Sequence, residues 1–192
     1  MATAANSSID VSSRALILIG AEPITSFEDS TNEALVASNM YEDIARAALT
    51  NCRWRFATEQ AQLNLLSDAP TGRYDAAYQL PSNLIMLHAV TVNDFPIEYQ
   101  TYGDKVFCDA GSTETLIADY TFRALEVDWP SYFTIAVEYT LASMFAVSIA
   151  RDTAMAGMME EKAVLSMAKA RSSDAKQQTT RKFNTSRYIT QR

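Results

Sequence analysis

Apolar residues near the start of the chain predict a short helix. Residues 12–19 read SSRALILI, an apolar segment that begins with serines, which are common helix caps. Gly20 follows as the predicted helix stop, and Pro23 lies just beyond it. We therefore expect one short helix over residues 12–19, followed by a polar turn over residues 26–31.

A longer helical pattern covers residues 32–51. Apolar side chains recur there at spacings of three and four residues, which places them on one face of a helix. That face consists of Val36, Met40, Ile44, Ala47 and Ala48. Ser30 and Glu33 have the spacing of a capping box just before it. The pattern predicts a second helix, longer than the first.

Between about residue 57 and residue 129 the pattern changes to short apolar runs separated by turn residues. The runs are rich in β-branched and aromatic side chains, which is typical of short antiparallel strands. They cover residues 84–92, 97–102, 105–108 and 115–122, with residues 102–105 (YGDK) as a hairpin turn. We expect a small antiparallel sheet or barrel inserted between helices.

Helical patterns return after the Trp129-Pro130 pair, because proline is tolerated at the first helical position. A third helix is predicted over residues 131–150 and a fourth over about residues 154–176, with a short break between them. The fourth contains four methionines: Met155, Met158, Met159 and Met167. Methionine side chains repack easily and suit adaptable binding surfaces, but their spacing favours a stripe in the helix core.

These elements predict an α+β fold with three parts. A helical bundle of about four helices is formed by residues 1–56 and 130–178, and a β-rich insertion occupies residues 57–129. Residues 179–192 form an extended C-terminal tail, since they are polar and basic and offer little to bury.

The charge is divided unevenly along the chain. The sequence of 192 residues has a net charge of −7, and its 48% hydrophobic content is ordinary for a globular protein. Residues 1–168 hold 9 basic and 22 acidic side chains, whereas residues 169–192 hold 7 basic and 1 acidic. An acidic body with a basic tail indicates different surroundings for the two parts.

The most apolar segment, residues 131–150, has the length of a membrane-spanning helix. Glu138 lies near its middle, and a charge at the bilayer centre costs about 2.5–3.5 kcal/mol even on the insertion scale. A helix buried in protein or between subunits is favoured, and no membrane partner is expected. Residues 1–13 lack the features of a signal peptide, so secretion is not expected.

The residue types that carry catalysis are sparse or poorly placed. His88 is the single histidine and lies in a strand-like run, which favours a structural role over a metal site or a nucleophile's base. Cys52 and Cys108 fit no metal spacing. With 5 glycines and no phosphate-binding loop, no nucleotide cofactor is expected. Glu160 and Glu161 are adjacent on a helix and do not face each other, which disfavours a glycosidase. We predict no catalytic, cofactor-binding or metal-binding residues.

The basic tail has three interpretations. It is a solvated terminus, a segment that contacts nucleic acid through phosphates, or a segment that docks on an acidic protein partner with Phe183 and Tyr188 as anchors. The aromatic residues between the charges (RKFNTSRYITQR) favour docking on protein.

Several segments resemble the head-to-tail adaptor of short-tailed bacteriophages, the tail tubular protein A family. They are ALILIGAEPITSFEDSTNEA from Ala15, a helix with Tyr41 and Arg46, and WRFATEQAQLNLL from Trp54. The later order is also similar: YQLPSNLIMLHAV, a meander of strands, a Trp-Pro junction, two long helices and a polar tail. The resemblance covers roughly residues 12–180 in the order of elements; its most specific parts are residues 18–23 and 54–57.

The resemblance implies a structural virion protein without enzymatic activity at the head-tail junction. It implies a homo-oligomeric, twelve-fold ring below the portal protein, joined to the tail nozzle or tail tube protein, with genomic DNA passing through without sequence-specific binding. It also places the C-terminal segment against the portal. The candidate portal contacts are Arg181, Lys182, Phe183, Arg187, Tyr188 and Arg192.

Two other functions stay open from the sequence. Some tail accessory proteins are credited with wall hydrolysis, so a tail-associated peptidoglycan hydrolase is the main alternative. A DNA-binding module acting through the basic tail is the other, although the acidic body opposes contact with phosphates.

Overall fold

A computed structural model of the chain describes residues 5–67, 70, 72–111 and 114–177. Within these residues the fold is α+β, as predicted, with four helices and two small antiparallel sheets. The helices are α1 (Ser8–Leu18), α2 (Asn32–Thr50), α3 (Ser131–Ser148) and α4 (Thr153–Ala175). The predicted extended tail, residues 179–192, lies outside the described residues.

Helix α1 begins four residues before the predicted start. The Ser7 hydroxyl accepts a hydrogen bond from the backbone N–H of Asp10 at 3.1 Å and so caps the helix. Ser12 is fully buried inside the helix and is not a cap. The predicted stop at Gly20 is confirmed: its φ is +76°, and Ala21 N–H donates to the Leu16 carbonyl at 3.0 Å, which closes the helix in a Schellman motif.

Helix α2 has the predicted extent, but its cap and its buried face differ from the prediction. Thr31, rather than the pair Ser30 and Glu33, caps the helix by accepting from Ala34 N–H at 3.2 Å. The buried face consists of Ala34, Ala37, Tyr41, Ala45, Ala48 and Leu49. The predicted stripe is rotated from it: Val36, Met40 and Ile44 are half-buried, Ala47 is exposed, and Ala48 alone is buried. Alanines let a neighbouring helix approach closely, so packing favours the small face over the larger one.

Eight strands lie between α2 and α3 in the described residues. They are β1 (Thr58–Gln62), β2 (Asn64–Leu65), β3 (Ala76–Gln79), β4 (Leu84–Val92), β5 (Phe95–Pro96), β6 (Gln100–Tyr102), β7 (Lys105–Cys108) and β8 (Leu116–Phe122). The strands at residues 84–92 and 105–108 are confirmed, and the strand predicted at 115–122 begins at Leu116. The strand predicted at 97–102 is shortened to β6, and β1, β2, β3 and β5 were not predicted.

The strands form two sheets rather than one. Their orders are β1-β8-β4-β5 and β2-β3-β7-β6, and every pairing is antiparallel. The predicted turn between β6 and β7 is confirmed, with Gly103 at φ +61°. A second tight turn, between β4 and β5, holds Asn93 and Asp94 at positive φ, as a two-residue hairpin loop requires. Side chains from both sheets meet in a small core that includes Val90, Val106 and Leu116.

Helix α3 is the centre of the helical part and packs against α1, α2 and α4. Its Phe133 is fully buried among aromatic rings, with ring centroids 5.0 Å from Trp54, 4.9 Å from Phe56 and 4.9 Å from Trp129. The indole N–H groups of Trp54 and Trp129 donate to backbone carbonyls, so both buried donors have a hydrogen-bond partner. This aromatic cluster joins the end of α2 to the start of α3 and closes the bundle where the sheets leave it.

The strands all fall within the predicted insertion at residues 57–129, and the described helices fall outside it, apart from short 3-10 turns. Phe122, at the end of β8, packs against both the helical core and the core between the sheets. Whether the two parts are separate domains stays a prediction. No helix of the described residues is long and apolar enough to cross a membrane.

Candidate assembly surfaces

The helical part carries an open apolar groove between α2, α3 and α4, called the helical groove below. It has a volume of about 510 Å³. Its apolar wall includes Ile44, Ala47, Met144, Val147, Val164 and Met167. Glu160 and Arg171 supply charges along the α4 side, and Arg171 donates to the Asn51 side chain at 3.4 Å. The groove is thus a mostly apolar surface with a few charges along it.

The groove follows from how the three helices pack. Because the alanine face of α2 is buried, the Ile44 and Ala47 side chains of the same helix lie at the edge of the core. On α3 and α4, Met144, Val147 and Val164 lie outside the core and are about half exposed or more; Val164 is 62% exposed. Exposed apolar side chains that adjoin one another are typical of surfaces that contact other proteins.

A second apolar feature lies where the chain returns from the sheets. Residues 125–128, called the junction turn below, include a 3-10 turn at Glu126–Asp128. Leu125 and Val127 point outward and are 63% and 61% exposed. Glu126, between them, points inward and accepts from the Tyr41 hydroxyl at 2.8 Å. The alternation leaves two large aliphatic side chains projecting into solvent next to the exposed Asp128.

Arg123 holds the junction turn against α2. Its Nη2 donates to Glu126 at 2.6 Å and to Glu42 at 2.9 Å, and its guanidinium lies 5.6 Å from the centroid of the Trp129 ring. Burial favours the neutral form of Glu42, but hydrogen bonds from Arg123 and Arg46 outweigh it and lower the pKa of this carboxyl. Burial, followed by the Glu126 carboxylate, raises the pKa of Tyr41 far above its ordinary value. These contacts form a charge-balanced network that holds the junction turn in place beneath the exposed Leu125 and Val127 side chains.

The groove and the junction turn lie on opposite flanks of α2. A helix turns by about 100° per residue, so Glu42 and Ile44, two positions apart, point in roughly opposite directions. Ile44 faces the helical groove, whereas Glu42 faces Arg123 and the junction turn. Leu35, which is also exposed, is two turns before Glu42 on the same flank. One chain therefore offers a concave apolar surface on one side and a projecting one on the other.

The end of α4 is fixed to the start of the sheets by Asp174. This buried carboxylate accepts from the Arg55 backbone N–H at 3.2 Å and from the Tyr132 hydroxyl at 2.9 Å. Burial, and then the bond to Asp174, raises the pKa of Tyr132 to about 12. These contacts set the place from which the basic tail departs. The candidate portal contacts Arg181, Lys182, Phe183, Arg187, Tyr188 and Arg192 lie beyond the described residues, and their role stays a prediction.

The remaining residues singled out in the sequence have ordinary structural surroundings. His88 bonds to the Thr121 hydroxyl at 2.8 Å across β4 and β8, and burial lowers its pKa. Cys52 and Cys108 are free thiols. In the described part of the chain, no group of three or more His, Cys, Asp or Glu side chains is arranged to hold a metal ion.

The methionine stripe on α4 is divided. Met159 and Met167 are buried and Met155 is half-buried, which confirms the predicted core role for those three. Met158 is 57% exposed, so the prediction is wrong for this residue, which lies on the solvent-exposed side of α4.

Sequence reasoning missed both candidate assembly surfaces. The groove requires knowing which face of α2 is buried, and the size of its side chains suggested the wrong face. The junction turn, in contrast, has a pattern in the sequence from which its exposed apolar residues could have been predicted. In LEVD, residues 125–128, apolar and acidic residues alternate directly before Trp129-Pro130.

Comparison with known proteins identifies the family. The family model described as tail tubular protein matches residues 11–123, which is more than half of the chain. The chain belongs to the tail tubular protein family. It is therefore a structural protein of the phage tail and a component of the virion. No match to this tail tubular protein is found among the curated proteins.

The family match covers only part of the candidate assembly surfaces. It covers α1 from Val11 onward, α2, every described strand and Arg123, and it ends before the junction turn, α3 and α4. Of the residues that line the groove in this tail tubular protein, only those of α2 and its end, from Ile44 to Asn51, fall inside the matched segment.

Proposed function

We propose that this chain is the subunit of a head-to-tail adaptor, a ring that joins the portal to the tail and lines the DNA channel. The observation that carries the proposal is the pair of unlike apolar surfaces on opposite flanks of α2 in a chain of the tail tubular family. Identical subunits joined through two different surfaces form a closed ring when the rotation between neighbours closes. A twelve-fold ring is the stoichiometry that the family resemblance favours.

The charge distribution supports a channel that DNA passes without binding. Residues 1–168 are strongly acidic on balance, so their surface repels phosphates rather than holding them. The basic tail carries the opposite charge and suits a separate task. We place it against the portal, where Phe183 and Tyr188 anchor it and the arginines and lysine pair with acidic groups. The other end of the ring receives the tail nozzle or tail tube protein.

A peptidoglycan hydrolase, the main alternative, finds no support in the groove. Glycoside hydrolysis ordinarily needs two carboxyl groups that flank the bond to be cleaved. Glu160 is the one carboxylate among the residues that line the helical groove, and it is exposed to solvent rather than held in a low-dielectric cleft. A clearing assay on cell walls with the purified chain is expected to show no hydrolysis, and clearing would contradict the proposal.

Imaging of the virion tests the location. With the chain tagged at its N-terminus, averaged particle images are expected to show the label as a ring between portal and tail, with rotational symmetry. A label along the tail shaft, at its tip or on the capsid would contradict the adaptor role while leaving family membership intact.

Portal binding tests the tail. Removal of residues 180–192 is expected to abolish binding of the chain to isolated portal rings, measured by co-sedimentation. Two matched variants separate the contributions: Phe183→Ser with Tyr188→Ser removes the anchors, and Arg181→Gln with Lys182→Gln removes charge. We expect the first to weaken binding at all salt concentrations and the second mainly at low salt. Unchanged binding after the truncation would refute the docking role.

A further inference from the structure

The helical groove and the junction turn have the properties of two halves of one contact. The groove is concave, apolar and open to solvent, with mostly aliphatic walls. The junction turn is convex and presents Leu125 and Val127 with little covering them. Transfer of such side chains into such a groove releases water from both surfaces, which is favourable.

We infer that the junction turn of one copy docks in the helical groove of the next copy, so that Leu125 and Val127 are the contacts that link neighbouring subunits. The inference rests on the proposed ring and assigns the surfaces that close it. The two surfaces belong to one chain but lie on opposite flanks of α2, so a docked copy leaves its own groove free for another. The contact therefore repeats in one direction and does not end at a dimer.

Charge complementarity gives the contact its register. Asp128 is exposed directly after Val127, and Arg171 lies at the end of the groove nearest the C-terminus of α4. With the two aliphatic side chains in the groove, an orientation that brings the Asp128 carboxylate to the Arg171 guanidinium places opposite charges together at the rim. The reverse orientation brings Asp128 to Glu160, and two carboxylates repel each other.

The chain's own basic tail is the rival occupant of the groove. It has apolar residues to insert, since it contains Phe183, Tyr188 and Ile189. However, α4 runs from Glu160 toward Arg171 and then to the start of the tail, so a tail folding back meets the Arg171 charge first. With four basic and no acidic residues in 178–192, that approach is repulsive, which favours the acidic junction turn as the occupant.

Engineered disulfides test the contact between copies. Val127→Cys and Val164→Cys are introduced together into the full chain, with Cys52→Ser to remove the half-buried native thiol; Cys108 is buried. After mild oxidation we expect a ladder of reducible multimers on a denaturing gel, both for concentrated protein and for assembled particles. Each single variant alone is expected to stay monomeric on the gel. The matched control pairs Val127→Cys with Leu165→Cys, because Leu165 is next to Val164, 54% exposed, and outside the groove.

The outcomes separate the possibilities. No ladder in either sample, or an equal ladder from the Leu165 control, overturns the inference. Disulfide dimers from Val127→Cys alone indicate a self-matching contact and also overturn it. A ladder that appears only after removal of residues 178–192 identifies the tail as the occupant of the groove and overturns it as well. If imaging finds the ring at the neck while the ladder is absent, the inference alone fails; a neck without this chain contradicts the proposed function.

A charge exchange tests the register. Asp128→Arg and Arg171→Asp are each expected to weaken association of the full chain about fivefold at low salt, consistent with an exposed ion pair, and together to restore it to near its original value. Association is measured by analytical ultracentrifugation. Failure of the double variant to recover, with both single variants weakened, contradicts the assigned orientation.

Discussion

The two cores of the molecule differ in how they are built. The helical core collects large side chains from distant segments: Trp54 after α2, Trp129 before α3, and Phe133 and Phe145 within α3, with alanines between the helices. The core between the sheets is smaller and consists mainly of aliphatic side chains such as Val90 and Leu116, with Tyr78 and Tyr120 buried among them. The difference indicates that the helices form a rigid part, called the frame below, and that the sheets form a smaller part attached to it.

Both candidate assembly surfaces belong to the helical part. The groove is made entirely by helices and the residue that follows α2, and the junction turn is held against α2 by Arg123. The sheets join the frame where β1 begins and β8 ends, with Phe122 packed against both cores. Surfaces that must fit neighbours in one geometry benefit from rigid supports, and we expect the sheets to loosen locally without disturbing them.

The largest expected effect tests the frame. Phe133→Ala removes the ring at the centre of the aromatic cluster and is expected to lower the free energy of unfolding by about 3–5 kcal/mol. Leu116→Ala, in the smaller core, is expected to cost about 2–5 kcal/mol within the sheets. Both tryptophans of the chain belong to the helical core, so their fluorescence follows the frame alone during urea unfolding.

The comparison predicts different signatures for these two variants. Phe133→Ala should shift the fluorescence and the circular dichroism transitions together, whereas Leu116→Ala should shift the dichroism of the sheets and leave the fluorescence transition nearly unchanged. If Leu116→Ala shifts both transitions equally, the two cores unfold as one unit and the division fails.

A smaller effect is expected at the joint between the two parts. Arg123→Ala removes charged hydrogen bonds to Glu42 and Glu126 from a mostly buried site, and we expect a loss of about 1.5–3 kcal/mol. Arg46→Ala is the matched control, since Arg46 also binds Glu42, at 2.6 Å, but as an exposed pair worth about 0.3–0.5 kcal/mol. Urea unfolding of both variants, and of Arg123→Ala combined with Glu126→Gln, measures the coupling. Equal losses from Arg123→Ala and Arg46→Ala would show that burial adds nothing at this joint.

The sequence predicted the elements whose signals are local. Pro130 and the apolar run after it marked α3, the glycine at 20 marked the end of α1, and LIMLHAVTV marked β4. Strand β1, TEQAQ, has almost no β-branched or aromatic residues and exists because its backbone pairs with β8, from Thr58 with Thr121 to Gln62 with Ile117. Such a strand is defined by its partner, so a local pattern does not reveal it.

The candidate site was less predictable for the same reason. The junction turn depends on Tyr41 and Glu42 meeting Arg123 and Glu126, which are more than 80 residues apart in sequence. The buried face of α2 depends on how closely α3 approaches it. The resemblance supplied the family, and the structure supplied the surfaces.

Glu138 is a buried carboxyl group in the helical frame that destabilises the fold, so its replacement should stabilise the chain. It lies between α3 and α1, 9% exposed, with Oε1 lacking a hydrogen bond and Arg14 at 3.7 Å. Burial raises its pKa, and Arg14 opposes this only in part. Glu138→Gln is expected to increase the free energy of unfolding at neutral pH by about 1 kcal/mol, since it removes a buried negative charge whose desolvation the pair with Arg14 offsets only in part.

The pH dependence gives this prediction its sign. Because the folded-state pKa is above the ordinary value of 4.5, the folded chain binds more protons at this site than the unfolded chain does. The stability that this group contributes is therefore fully present below pH 4.5, the ordinary pKa, and is lost as pH rises through the folded-state pKa. The advantage of Glu138→Gln should grow from acid to neutral pH in urea unfolding. An advantage that is constant with pH would mean that the carboxylate is not the cause.

The smallest effect compares one substitution in the two parts. Gly157 lies inside α4, and an added Cβ would have nothing within 4 Å, so Gly157→Ala should stabilise the frame by about 0.5–1 kcal/mol through reduced freedom of the unfolded chain. Gly103 is equally uncrowded, but its φ is +61°, so Gly103→Ala should instead cost about 1–2 kcal/mol in the β6–β7 turn. Thermal unfolding followed by tryptophan fluorescence should show the gain from the first and almost none of the loss from the second. If the loss at Gly103 appears in full in the fluorescence, strain in a hairpin of the sheets reaches the helical core, and the frame is not independent of the part it carries.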